Sequence, residues 1–94
     1  MRVRVTYRTP DMDIDEEFTG AGADEVVAAM QKAVAARAPL GLRLFVGALR
    51  PLSFAQVAVD RYNDAARTDI ARPATCEEFL RAGEREGLLT VLDP

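Results

Sequence analysis

The chain reads as an α+β domain: an N-terminal β-hairpin, a helix, a central strand, two further helices and a C-terminal strand, forming one small mixed sheet with helices packed on it. Three observations predict this. "MRVRVTYRTPDMDIDEEF" alternates apolar and charged residues with period two on both sides of a proline. "ADEVVAAMQKAVAARA" spaces its apolar residues by three and four, the period of a half-buried helix. Two later segments begin with Ser or Thr followed three residues on by Gln or Glu, the pattern of a helix capping box.

With 94 residues, 49% of them apolar, the chain can bury one core, and residues 1–94 are read as a single compact domain. In the first strand Val3, Val5 and Tyr7 share one face, and Arg2, Arg4, Thr6 and Arg8 the other. After Thr9-Pro10-Asp11, Met12, Ile14 and Phe18 fall on one side and Asp11, Asp13, Asp15 and Glu17 on the other. A turn centred on Pro10 and Asp11 uses proline's fixed φ, sets Thr9 opposite Met12 and brings Arg8 to Asp13 and Arg4 to Glu17. A turn centred on Thr9 and Pro10 keeps the same faces and pairs Arg8 with Asp11, Arg4 with Asp15 and Arg2 with Glu17. Opposite charges meet in both. Glu16 is the exception, because parity puts it on the apolar face, where a carboxylate is costly unless it is exposed at an edge or paired.

Gly20-Ala21-Gly22 ends the hairpin, and a helix follows from about Ala23 to Ala38, closed by Pro39 and Gly41. Asp24 and Glu25 suit the positive end of its dipole. Val26, Val27, Met30, Ala33, Val34 and Arg37 form the stripe that can lie across the hairpin. "LRLFVGALR" is apolar at nearly every position and reads as a central strand covered on both sides, stopped by Pro51. Ser53 and Gln56 cap a helix from Phe54 to about Arg67, and Thr75 and Glu78 cap another that runs to about Glu86. Phe79 and Leu80 anchor the latter, Gly87 supplies a left-handed cap, and "LLTVL" makes the closing strand. The hairpin–helix–strand order of the first half is similar to that of β-grasp domains such as ubiquitin, an analogy of order that implies no function.

Composition narrows the chemistry. There is no histidine and one cysteine, so a zinc site of Cys and His, a Ser/His/Asp triad and an internal disulfide are all excluded. No cofactor or metal motif is present. The formal charge of −3 and the pI near 4.9 disfavour nucleic acid as the main partner. Eleven of the twelve basic residues are arginine, a usage expected of a GC-rich coding sequence and discounted accordingly as a sign of phosphate binding. With no apolar run long enough for a signal peptide or membrane span, a cytoplasmic location is expected.

Five residues are the candidates for partner contact: Arg2, Arg4 and Arg8 on the outer face of the hairpin, Glu16 on the wrong side of it, and Tyr62 on the apolar side of the Phe54–Arg67 helix. Cys76, at the start of the last helix, is the best single nucleophile candidate, although the absence of histidine and the neighbouring Glu77 and Glu78 oppose thiolate formation. Asp60, Asn63 and Asp64 offer oxygens on one helix, more readily explained as a solvent-facing ion-pair array with Arg61 and Arg67 than as a cation site. Together these features favour a small non-enzymatic protein-interaction or regulatory module acting through a sheet edge or helix face, on another protein or on a second copy as a homodimer or heteromeric subunit. Two alternatives follow from the same residues: a small enzyme or ligand-binding domain using Cys76, Tyr62 or the Asp60/Asp64 cluster, and a weak nucleic-acid binder through Arg2, Arg4 and Arg8.

Overall fold

In a computed structural model that describes residues 1–9 and 12–94, β1 (Arg2–Thr9) and β2 (Met12–Thr19) form an antiparallel hairpin, and β3 (Leu89–Asp93) adds antiparallel to the other side of β1. The strand order is β2-β1-β3. Four helices complete the chain: α1 (Ala23–Arg37), α2 (Leu40–Ala48), α3 (Pro51–Ala66) and α4 (Cys76–Arg85). The α+β class is therefore as expected, with a sheet antiparallel throughout.

Hairpin register follows the first of the two expected alignments: Thr9 faces Met12, Arg8 faces Asp13 and Arg4 faces Glu17. The turn at Pro10 and Asp11 lies outside the described residues. Alternation then sends Val3, Val5, Ile14 and Phe18 to one face, where all four are buried, and leaves Arg2, Arg4, Thr6, Arg8, Asp13, Asp15 and Glu17 exposed on the other.

Across the buried face lies α1, which contacts β2, α2, α3 and α4. Val26, Val27 and Met30 are its buried apolar residues. They meet Phe54 and Ala55 of α3, Cys76 and Leu80 of α4 and Leu89 of β3 in one core. Gly20 permits the tight passage from β2 to α1, since a Cβ there would stand 2.6 Å from the Glu25 Cβ and 2.9 Å from the Val26 nitrogen. At the end of α4, Gly87 takes φ +75, the left-handed conformation that its position predicts.

The central strand expected over "LRLFVGALR" is instead the helix α2. Two physical reasons account for the difference. The segment is rich in leucine and contains only one β-branched residue, Val46, so its intrinsic preference is helical once Pro39 and Pro51 fix its ends. The central place in the sheet is also already filled, because β1 has β2 on one side and β3 on the other. With that segment helical, the β-grasp element order ends at α1.

A second correction concerns α3, which begins three residues before Phe54. Pro51 occupies its first turn and Arg50 its N-cap, so the expected Ser53–Gln56 capping box does not form. The Gln56 amide reaches out instead, donating to the Pro73 carbonyl at 2.9 Å. The other cap is present: the Thr75 hydroxyl accepts from the Glu78 amide at 3.1 Å, while the Glu78 carboxylate accepts from the Ala74 amide at 2.8 Å.

This division between core and surface predicts a graded stability series. Leu80, at 1% exposure, is central, and Leu80→Ala is expected to cost about 2–5 kcal/mol. Gly20→Ala should cost about 1–3 kcal/mol through overcrowding, whereas Leu40→Ala, at a position 69% exposed, should stay within about 0.5 kcal/mol. Urea titrations of dilute protein would check the order.

Candidate functional site

The hairpin's charged face is largely self-neutralised. Arg4 faces Glu17 along the ladder, but its guanidinium turns diagonally to Asp15 at 2.7 Å. Arg8 meets Asp13 at 3.4 Å with both side chains mostly in solvent. Such pairs contribute about 0–1 kcal/mol each. Arg2 is exposed at the end of β1, opposite Thr19 and Asp93. Between them these residues form an open polar surface with alternating sign.

Glu16 does lie on the core side, opposite Val5 and between Ile14 and Phe18. It is accommodated because β2 is an edge strand and because Arg37, in the last turn of α1, reaches its carboxylate at 2.5 Å. The same guanidinium donates to the Ala33 carbonyl at 3.0 Å. Arg37 belongs to the stripe that α1 lays on the sheet, so the one misplaced acid and the one misplaced base meet.

Tyr62 is half-buried on α3 and donates its hydroxyl to Glu86 at 3.2 Å. Desolvation first, and then the Glu86 carboxylate, push its pKa up, which keeps the phenol protonated at neutral pH. Asn63 organises the loop after α3: its carbonyl accepts from the Thr68 hydroxyl at 2.8 Å and the Ile70 amide at 2.9 Å, and its amide donates to the Ile70 carbonyl at 2.9 Å. Asp60 is paired with Arg72 at 2.7 Å. Among the described residues, no three carboxylate or thiol groups gather as metal ligands. Cys76 is buried at the first position of α4, and the desolvation of burial, followed by its hydrogen bond to Asp24, pushes the thiol up from 9.0 to about 11. The amide dipoles at the helix start are thus outweighed. Cys76, Tyr62 and Asp60 sit in separate environments, each satisfied by a different partner.

Both sheet edges are guarded. Along β2, Asp13, Asp15 and Glu17 oppose the approach of another strand by charge. On β3 the Glu84 carboxylate accepts from the Val91 amide at 3.3 Å and so occupies a donor that an added strand would need.

The conspicuous open surface is on α2, which the sequence reading assigned to the interior. No side chain of this helix is buried. Leu40 and Leu44 are each 69% exposed and Phe45 is 52% exposed, and the spacing of Leu40, Gly41, Leu44, Phe45 and Ala48 places all five on one outward face. These leucines and Phe45, with Leu42 beside that face, leave on the order of 400 Å² of apolar surface in solvent, within the range of the largest apolar patch on a monomer, which is often functional. Val46, half-buried, and Leu49, just past the helix, are the residues that touch the core.

Polar contacts to the backbone fix this orientation. Gln31 of α1, 7% exposed, donates its amide at 2.7 Å to the carbonyls of both Val46 and Leu49 at the end of α2, the Val46 carbonyl accepting from the Leu49 amide as well, at 3.3 Å. In return, Arg43 of α2 donates to the Ala35 carbonyl at 3.2 Å and the Ala36 carbonyl at 3.3 Å near the end of α1. The only charge on α2 is therefore turned away from its outward face. Sequence reasoning passed over Gln31, Arg43 and this face. The usable signal was the three-to-four spacing from Leu40 to Ala48, which competes with alternation in so short an apolar run.

No family model, curated protein or solved structure matches this chain. Among the described residues, no helix is long and apolar enough to cross a membrane.

Two predictions follow from these environments. Gln31→Leu removes both bonds, takes that donor from the Leu49 carbonyl, leaves the Val46 carbonyl with only the Leu49 amide and should cost about 1–3 kcal/mol. Amide exchange within α2 should accelerate more than in α1, and equal acceleration in both would refute the tether. For Cys76, the folded thiol's pKa of about 11 exceeds the ordinary 9.0, so its stabilising contribution is complete below pH 9 and is lost as pH rises through about 11. Alkaline unfolding monitored by circular dichroism should show a steeper loss in that window for the native chain than for Cys76→Ala, and thiol reagents at pH 8 should label the native protein only after unfolding.

Proposed function

We propose that this chain is a non-enzymatic protein-interaction module whose contact surface is the outward face of α2. The observation that carries the reading is that a nine-residue helix buries none of its side chains yet presents Leu40, Leu44 and Phe45 to solvent, held outward by Gln31 and Arg43. Ordering such a helix on the surface exposes apolar area at a cost in water, and a protein partner that covers it offsets that cost.

The alternatives are less well supported by the same geometry. Enzymatic use of Cys76 meets a buried thiol with a raised pKa and Asp24 as its partner. The arginines Arg4 and Arg8 already face carboxylates on β2, which weakens a phosphate-binding reading. Partner contact through Arg2, Arg4, Arg8, Glu16 or Tyr62 would be secondary to α2 in this proposal, and location in the cytoplasm remains part of it.

The test is cross-linking and affinity recovery from the cell of origin with the native chain and two surface variants. Leu44→Asp should abolish recovery of a stoichiometric protein partner, whether another protein or a second copy of the chain, and Arg4→Ala should retain it. A partner held equally by Leu44→Asp and lost by Arg4→Ala would transfer the function to the hairpin face.

A further inference from the structure

We infer that the groove between α4 and the segment leading into it, residues 70–73, is a second contact surface, which seats an acidic segment of a partner protein by a glutamate or aspartate side chain. The groove is separate from the α2 face, since α2 packs on α1 while the groove is built by α4 and the loop after α3. Neither surface depends on the other.

Shape sets the size of the occupant. Half-buried Ile70 and buried Pro73 and Ala82 line a cavity of about 150 Å³. That is below the about 300–1,000 Å³ of small-molecule sites and is the size that holds one benzene-sized group, hence one carboxylate side chain with its methylenes against the apolar lining. The loop wall is ordered before a partner arrives. Asn63 binds the Ile70 amide and carbonyl, each at 2.9 Å, and Gln56 donates to the Pro73 carbonyl at 2.9 Å, so the backbone is tied to α3 on both sides of Arg72. A wall fixed in this way loses little freedom on binding.

Charge sets the sign. Arg72, Arg81 and Arg85 all line the groove, against one acid, Glu78. A coding bias accounts for the choice of arginine but not for three of them around one small cavity in a chain of net charge −3. Among the described residues Arg85 forms no ion pair. Arg72 meets Asp60 at 2.7 Å and Arg81 meets Glu77 at 2.6 Å, but all four side chains are more than half exposed, and such pairs are weak enough to exchange for a carboxylate brought by a partner. Glu78 is committed elsewhere, accepting from the Ala74 amide at 2.8 Å, and it precedes Arg85 by two turns, about 10 Å along the helix. A carboxylate beside Arg81 and Arg85, one turn apart on α4, can therefore accept from two guanidinium groups at the end of the groove away from Glu78. Asp60, Glu77 and Glu78 interrupt the continuous cationic track that a nucleic-acid backbone needs, which favours an isolated carboxylate.

The test is an amide NMR titration of the full chain with a capped hexaglutamate peptide at about 50 mM salt, with capped hexaglutamine as the control. Saturable shifts are expected at the Ile70, Arg72, Arg81 and Arg85 amides, with a dissociation constant of about millimolar, and none with hexaglutamine. The double variant Arg81→Gln, Arg85→Gln, at exposed positions, should weaken binding about tenfold with shifts elsewhere unchanged, and Arg4→Ala should bind as the native chain does. No saturable shift at about 10 mM peptide overturns the inference, as do shifts centred on Arg2, Arg4 and Arg8, or a double variant that binds within about twofold of native. Inorganic phosphate that binds the groove as tightly as the peptide overturns the assignment to a protein carboxylate.

Discussion

The arrangement of this chain turns on a single buried amide. Gln31 is the one buried polar side chain among the described residues, and both of its donated hydrogen bonds go to carbonyls at the end of α2. A glutamine in that position would be destabilising without acceptors, and without it the α2 end would lose the side-chain donor to the Leu49 carbonyl and keep only the Leu49 amide at Val46. Each therefore requires the other. Arg43 closes the reciprocal contact onto the end of α1, and the two helices are fixed backbone to side chain in both directions. Because the attachment rests on carbonyls and on the apolar contacts of Val46 and Leu49 alone, it can hold α2 while leaving the outward hydrophobic face unburied.

The hairpin shows the opposite economy of means, in which side-chain parity alone decides placement. Its outward residues form a charged surface whose pairs are individually weak, and its inward residues supply Val3, Val5, Ile14 and Phe18 to the core. Glu16 tests the rule: the register leaves it no outward position, and Arg37 supplies the counter-charge from above. An acid and a base that each look misplaced on their own element are consistent once α1 lies across β2.

Much of this was legible from residue order. Alternation predicts the hairpin and the faces of its strands and narrows the register to two alignments, Thr75 and Glu78 mark the start of α4, and Gly87 marks its end, because these signals are local and involve few residues. The α+β class follows from them. The helix at Leu40–Ala48 was not legible in the same way, since a short run that is apolar at nearly every position satisfies both a strand and a helix period. What decides it is tertiary: β1 has no free side for another strand, and Gln31 offers donors suited to a helix end. The Ser53–Gln56 pattern misled for a related reason, because Pro51 starts α3 a turn sooner and makes the serine an interior residue. The site was hidden with the helix, for a strand in the core has no exposed face to offer.

Helices as short as α2 are marginal by themselves, because too few hydrogen bonds follow the costly first turn. In most proteins burial of an apolar stripe supplies the remainder, but α2 has no buried side chain to provide it. Its order therefore depends on Gln31 at one end, Arg43 in the middle and the half-buried Val46. A short element with no buried side chain belongs to the low end of local stability within a fold. A partner that covers Leu40, Leu44 and Phe45 would then do two things at once: remove apolar surface from water and supply the packing that α2 lacks. Binding of a partner on this face would therefore be coupled to the local folding of α2, and the polar tether would keep that coupling modest by holding the helix close to its final form.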